Sequence, residues 1–358
     1  MNISHFLFRN ALNKPIRSFK KDLQTKKTLF LWSIRFLLIF FSLTPRFMES
    51  RSDFIHEDLP LELQAPWTTG PLLTPSSRLL PKGRINIQPY VYVSEVQGHF
   101  MYHGIRQSGA TLHNVNFETY VTYGLTDWMN VMIMGQLFSN ERQGKSYTAI
   151  GNSLLGFGFQ LFQEDPKGFR PNGKFMVVES FPTGNYQNLD PTLGGLDATG
   201  DGTFCTRLAF VTGKAFQIKN YIWLSSRLSL GYWYFTPTTV RNFNSYGGGF
   251  NTFGTVQRGS GFPASIGLEL SMTQNLSLAL DVLSLYFGAN TFKGNPGTNF
   301  DGTPASVGYP SIYQISLAPA VEWNFSPGFG IILGGWFTVF DKNNDRFSSF
   351  VVAINLNK

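Results

Sequence analysis

Tyr313-Gln-Ile-Ser-Leu-Ala-Pro-Ala-Val-Glu-Trp323 decides how this chain is read. Tyr313, Ile315, Leu317, Val321 and Trp323 share one parity, and Gln314, Ser316 and Glu322 share the other. Side chains alternate between faces along a strand, so the stretch has one apolar face and one small or polar face. A tight turn, Phe325-Ser-Pro-Gly328, follows, and the alternation resumes over 329–340. Such a strand is longer than the roughly five or six residues usual in globular sheets. It matches the about 9–11 residues that a tilted strand needs to cross a bilayer.

The same alternation extends outward through the chain. It marks segments at 85–96, 111–123, 128–138, 151–162, 174–181, 203–212, 221–235, 262–271, 276–287, 311–324, 329–340 and 347–356. Connections also alternate. Gly124-Leu-Thr-Asp127, Met272-Thr-Gln-Asn275 and Phe325-Ser-Pro-Gly328 are tight, whereas 182–202, 236–261 and 288–310 are long. Short turns on one side and long loops on the other characterise barrels of the outer membrane. The expected fold is therefore all-β: a transmembrane antiparallel up-and-down β-barrel of about 12 strands over residues 84–358. Trp128 and Trp323 flank short turns, while Tyr232, Trp233 and Tyr234 lie at the other end, as two interfacial girdles require.

The net charge of +7 invites a nucleic-acid reading, but its distribution removes it. Residues 1–51 hold ten Lys/Arg and two Asp/Glu; the rest carries 19 basic and 20 acidic groups. Lys26-Lys27 precede an apolar run, Leu29–Leu43, that Arg35 interrupts and that falls short of the about 20 residues of a spanning helix. Residues 1–52 read as an export leader, with Ser50-Arg51-Ser52 as its small-x-small site. Residues 53–83 are Pro-rich and irregular, and read as a periplasmic tether or a plug-like segment. A lone Cys205 leaves no disulfide and no cysteine metal site.

Catalytic patterns are scarce. His99-x3-His103 lies in a loop without the helix or third ligand that zinc would need. Asp341-Lys-Asn-Asn-Asp345 begins like a calcium loop, but Arg346 replaces the turn glycine, so a hairpin turn is expected. Asp190, Asp197 and Asp201 crowd one outer loop and read as solvated acids. No cofactor, metal or hydrolase motif stands out. The informative groups are charges on strands: Glu179, Arg207, Arg227 and Glu269. Counting back from the turns puts position 207 opposite about 226, Glu179 near 206 and Glu269 near 228. These four are expected to form one lumenal charge cluster. On the lipid face each Arg would cost ~2–4 kcal/mol at the midplane. Such a cluster orients polar solutes at a constriction or pins strands together.

Several stretches resemble a known family: Pro66-Trp-Thr-Thr-Gly-Pro-Leu-Leu73 leading into Pro81-Lys-Gly-Arg-Ile-Asn-Ile-Gln-Pro-Tyr90, then Tyr123-Gly-Leu-Thr-Asp127, Phe181-Pro-Thr-Gly-Asn-Tyr186, and Phe329-Gly-Ile-Ile-Leu-Gly-Gly-Trp-Phe-Thr338. They are similar to bacterial outer-membrane barrels grouped as the transporter family of the meta pathway of phenol degradation. The resemblance covers about residues 65–356 and implies passage of small apolar or aromatic molecules. It implies no catalytic residues. The chain departs from it in ending Leu356-Asn-Lys358 rather than on an aromatic, and in its charged Asp341–Arg346 turn. A channel or transporter in the bacterial outer membrane is the leading reading, with the lipid bilayer, a small solute and the insertion machinery as partners. The alternatives are a lipid-acting enzyme using His99, His103 or His113, and a soluble secreted β-sandwich.

Overall fold

The computed structural model describes residues 66–100, 106–107, 111–165 and 168–358. The expected leader at 1–52 with its small-x-small site, residues 53–65, His103 and the side chain of His99 lie outside what is described. The twelve barrel strands are β1 (Ile85–Phe100), β2 (Leu112–Thr126), β3 (Met129–Arg142), β4 (Ser153–Phe162), β5 (Asn172–Phe181) and β6 (Cys205–Lys219). They continue as β7 (Ile222–Phe235), β8 (Gly261–Ser271), β9 (Leu276–Phe287), β10 (Ile312–Ser326), β11 (Phe329–Lys342) and β12 (Asp345–Asn357). Each pairs antiparallel with its sequence neighbours, and β12 pairs with β1 through Val352↔Val91 and Phe350↔Val93, which closes the sheet. A single closed sheet excludes the β-sandwich alternative.

Parity reads directly as inside and outside. On β9 the inward Ser277 and Asp281 are fully buried, whereas the outward Leu278 and Leu280 are exposed. On β10 Gln314, Ser316, Ala318, Ala320, Glu322 and Asn324 are all buried, and Val321, Trp323 and Phe325 are exposed. An apolar surface of this kind has its solvent in the lipid. Trp128 stacks on Phe159, and Phe325 on Phe329, at the short-turn end. Tyr232 packs on Phe262, Phe262 on Tyr286, and Tyr313 on Phe340 at the other end. From Trp323 to Tyr313 the outward face spans roughly 33 Å of strand, or about 25 Å along the axis at a tilt near 40°, the height of an outer-membrane apolar band. Trp233, expected in the outer girdle, instead faces inward with the Arg207 guanidinium 4.4 Å above its ring.

One boundary differs in a way that matters. β6 was expected to end near residue 212, but it continues to Lys219 with Phe216 and Ile218 exposed on its outer face. The β6–β7 turn is therefore only Asn220-Tyr221, with Tyr221 at φ 63°. At the other side of the barrel, Asn343-Asn344 makes the β11–β12 turn, with Asn343 at φ 55°; the calcium-like motif is a hairpin turn.

The long loops cover the outer mouth. Short strands Thr238–Arg241, Phe253–Gln257 and Thr291–Asn295 form a small sheet above the barrel. Val240, Tyr246 and Val256 are its core, with Phe292, Val307 and Tyr309 against them. Tyr246 donates its hydroxyl to the Asp201 carbonyl at 2.6 Å, and burial pushes the phenol well above its ordinary value. Ser245 donates to the Gly200 carbonyl at 2.6 Å. The three loop acids do not converge. Asp190 caps a short turn through Thr192 N–H at 2.8 Å, and Asp197 accepts the Asp190 N–H at 2.7 Å. Asp201 pairs with Arg258 at 2.5 Å and accepts from Asn152 and from the Thr203 N–H.

Candidate functional site in the barrel lumen

The inward face carries the chemistry, and residues 66–80 lie against it. Proline and glycine keep this segment irregular, so its backbone N–H groups have no ladder and need other acceptors. Carboxylates on the barrel wall supply them. Asp281 on β9 accepts Leu73 N–H at 3.0 Å with one oxygen and Thr74 N–H at 2.9 Å with the other. Glu322 on β10 accepts the N–H groups of Thr69 and Gly70. Glu269 on β8 accepts the Thr68 hydroxyl. Asn324 donates to the Trp67 carbonyl at 2.6 Å, and across the lumen Gln160 on β4 accepts Leu79 N–H at 3.1 Å.

Small residues on the wall make room for the segment. A Cβ at Gly267 on β8 would meet Pro71 and Thr74, and one at Gly334 on β11 would meet Leu72 at 3.0 Å. Leu72 itself is 1% exposed and packs with Ala318, Ala320 and Ile332. The segment thus touches β4, β7, β8, β9, β10 and β11 and crosses the lumen near its short-turn end. Buried carboxylates are stable there because each accepts charge-assisted hydrogen bonds.

Of the four charges expected to cluster, Arg207, Arg227 and Glu269 face inward, and Glu179 does not. The inward residues of β5 are Asn172, Lys174, Met176, Val178 and Ser180, so Glu179 stands on the outer face, accepting from Thr206 at 2.7 Å. The counting missed because Val177-Val178 is apolar on both parities and hides the phase of that strand. Arg207 lies opposite Trp233, and Arg227 lies opposite Gly213. The longer β6 shifts the pairing, leaving the two arginines about 20 Å apart along the strand at ~3.3 Å per residue. Arg227 instead reaches the lumenal segment, donating to the Thr69 carbonyl at 3.4 Å and packing on Gly70. Glu269 lies opposite Ser225, two residues diagonal to Arg227.

Sequence reasoning placed Asp281 and Glu322 on the inward parity but gave them no role. The signal available was their isolation: each is a lone acid among small inward residues. A further missed feature is the wall of β1–β5. Tyr90 stacks on Tyr92 at 5.9 Å and meets Tyr120 edge-on at 5.7 Å. Met134, Leu154 and Val178 form a buried cluster against Tyr120, Met132 and Met176. Glu118, inside this aromatic wall, accepts from Tyr120 at 2.9 Å and from Asn116 at 2.8 Å. On the lipid side His113 stands 3.7 Å from Glu95. In that ladder row the hydroxyl of Ser348 sits beyond Glu95, not beside the histidine.

No family model matches the chain, and no curated protein matches it. Solved structures do. The COG4313 outer membrane channel from Pseudomonas putida F1 superposes with a TM-score of 0.59 at 13% identity, over 79% of this chain and 98% of that one. The β domain of the Bordetella autotransporter BrkA gives a TM-score of 0.41 at 11% identity, over 76% and 98% of the two chains. The Pseudomonas putida toluene transporter TodX gives 0.33 at 12% identity, over 78% and 90%. The closed sheet, its lipid-facing band and the likeness in fold to the first of these identify the chain as a twelve-stranded β-barrel of the bacterial outer membrane.

Proposed function

We propose that the barrel is a channel for small molecules with an apolar or aromatic body, and that it has no catalytic role. The observation that carries this reading is the inward wall of β1–β5, where half-buried Tyr90, Tyr120, Met132 and Met176 face the lumen. Methionine and tyrosine present adaptable apolar surface with few fixed hydrogen-bond demands, the lining that suits ring compounds rather than sugars. Twelve strands enclose a lumen between the filled eight-stranded barrels and the open sixteen-stranded ones. The segment at 66–80 then acts as a plug, part of the 53–83 unit that follows the leader, and the outer loops act as a lid. The likeness to a channel fold supports the same reading.

The test is uptake of radiolabelled naphthalene beside sucrose by lipopolysaccharide-bearing vesicles, with and without the protein. Lipopolysaccharide slows apolar solutes, so the protein is expected to accelerate naphthalene and leave sucrose excluded. No acceleration of naphthalene, in the full chain or after deletion of 66–80, refutes the channel.

A further inference from the structure

The outer cap carries a face that passage through the pore does not use. Thr238–Arg241 follows β7, Phe253–Gln257 precedes β8 and Thr291–Asn295 follows β9, and the three pair in that same order. They prolong the β7–β9 wall beyond the membrane. Alternation again sorts the side chains. Val240 and Val256 are fully buried, and Phe292 packs with them against Tyr246, whose hydroxyl bonds to Asp201 over the mouth. The opposite face of the small sheet is therefore turned away from the pore axis.

Register arranges that face in two rows. Arg241 stands beside Phe253 and Phe253 beside Asn295; in the next row down Thr239 stands beside Thr255 and Thr255 beside Lys293. All six side chains are exposed. Neighbours in a row are about 5 Å apart and the rows about 7 Å apart, so the patch is flat and on the order of 10 Å by 7 Å. The Arg241 guanidinium lies 5.5 Å from the centre of the Phe253 ring, which is 56% exposed. The three strands contain no Asp or Glu, so neither cation meets an acid on its own sheet.

Height decides what such a face meets. Lys293 lies seven residues beyond Tyr286 of the outer girdle. At ~3.3 Å per residue and a tilt near 40° that is about 18 Å, whereas a headgroup layer takes about 5–8 Å on each side of the hydrocarbon. The face stands above the acyl chains, at the level of the core sugars that lipopolysaccharide carries in the outer leaflet.

We infer that this face docks the phosphorylated core oligosaccharide of the lipopolysaccharide around the barrel. Arg241 and Lys293 take its phosphates, and the Phe253 ring takes the apolar face of a sugar. Thr239, Thr255 and Asn295 exchange hydrogen bonds with the sugar hydroxyls. The docking is independent of what crosses the pore.

Calorimetric titration of the full chain, in phospholipid nanodiscs free of lipopolysaccharide, tests the face with deacylated core oligosaccharide and with the same oligosaccharide stripped of its phosphates. The phosphorylated form is expected to bind at least about 10-fold tighter, the worth of one charge-assisted hydrogen bond. The double variant Arg241→Gln/Lys293→Gln is expected to lose at least about 10-fold in affinity for it. Should that variant lose the heat-resistant compact form on gels, Thr255→Glu decides instead: its carboxylate stands between Thr239 and Lys293 and is expected to abolish binding. Equal affinity for the two oligosaccharides, or unchanged affinity in either folded variant, overturns the docking face. Inorganic pyrophosphate, which offers the charge without the sugar, is expected to bind at least about 10-fold more weakly than the oligosaccharide, and Phe253→Ala to weaken the oligosaccharide about 5-fold. Pyrophosphate that binds as tightly, or a Phe253→Ala variant that binds the oligosaccharide as the parent does, overturns recognition of the sugar.

Discussion

Asp281→Asn is the sharpest single perturbation of the contacts that seat residues 66–80 against the barrel wall. Each Asp281 oxygen accepts one N–H, from Leu73 at 3.0 Å and Thr74 at 2.9 Å. Asparagine keeps the shape but presents one oxygen and one NH2 group, so it can accept only one of the two donors. The other N–H then faces a donor, beside a Thr74 side chain that is 2% exposed. Losing one hydrogen bond to a charged group costs about 1.5–3 kcal/mol. Taking ~2 kcal/mol, the population with residues 69–74 unseated rises roughly 30-fold. Hydrogen exchange of the protein in lipid nanodiscs, read by mass spectrometry on peptides covering 69–74, measures that rise directly. Protection of Leu276–Phe287 is expected to stay as in the parent, which separates unseating of the segment from damage to the wall. Exchange over 69–74 that remains at the parent rate, in a protein still compact and heat-modifiable on gels, would refute the carboxylate seat.

Other outcomes check separate links. Gly70 sits at φ +102° with the Arg227 guanidinium where a Cβ would lie, so Gly70→Ala strains the turn by about 1–3 kcal/mol and displaces Arg227. Raised single-channel open probability in that variant is the expected result, and a closed channel indistinguishable from the parent counts against the plug. Leu280→Arg on the lipid face is expected to cost ~2–4 kcal/mol in reversible urea unfolding from vesicles, and a cost near zero would move Leu280 out of the hydrocarbon. Burial lifts the Asp197 carboxyl above its ordinary range, so its charged form opposes loop folding. That penalty is absent below the unfolded carboxylate value, grows as pH rises through the raised folded value, and is complete at neutral pH. Asp197→Asn is therefore expected to increase hydrogen-exchange protection of the 185–201 loop at pH 7 and to leave it unchanged near pH 3.

How much of this was legible in the chain depends on the range of the interaction involved. Alternation and turn chemistry are local, so the segments around Trp323 and Phe329, the Asn343-Asn344 turn and the barrel itself can be read residue by residue. Register is less local. Phe216 and Ile218 did mark the continuation of β6, but ending that strand at the polar Thr212 moved Arg207 from opposite Trp233 to opposite residue 226. Glu179 failed for a related reason, since two consecutive valines leave the phase of β5 undetermined. The seating of residues 66–80 in the lumen and the loop cap were illegible in detail. Asp281 and Glu322 bind the backbone of a segment more than two hundred residues away, and a backbone N–H leaves no mark in the sequence.

The manner in which wall carboxylates hold residues 69–74 makes that segment a ligand on a leash. Its main chain is gripped rather than its side chains, so the grip reads extended shape more than residue identity. The short link from Leu80 to Ile85 keeps the ligand at an effective concentration on the order of millimolar, and the seat stays filled even where the intrinsic affinity is modest. Cutting the link converts the molecule into a receptor and a peptide. A synthetic peptide spanning 66–80, added to a barrel lacking those residues, should then close the pore at concentrations that report the affinity of the seat itself.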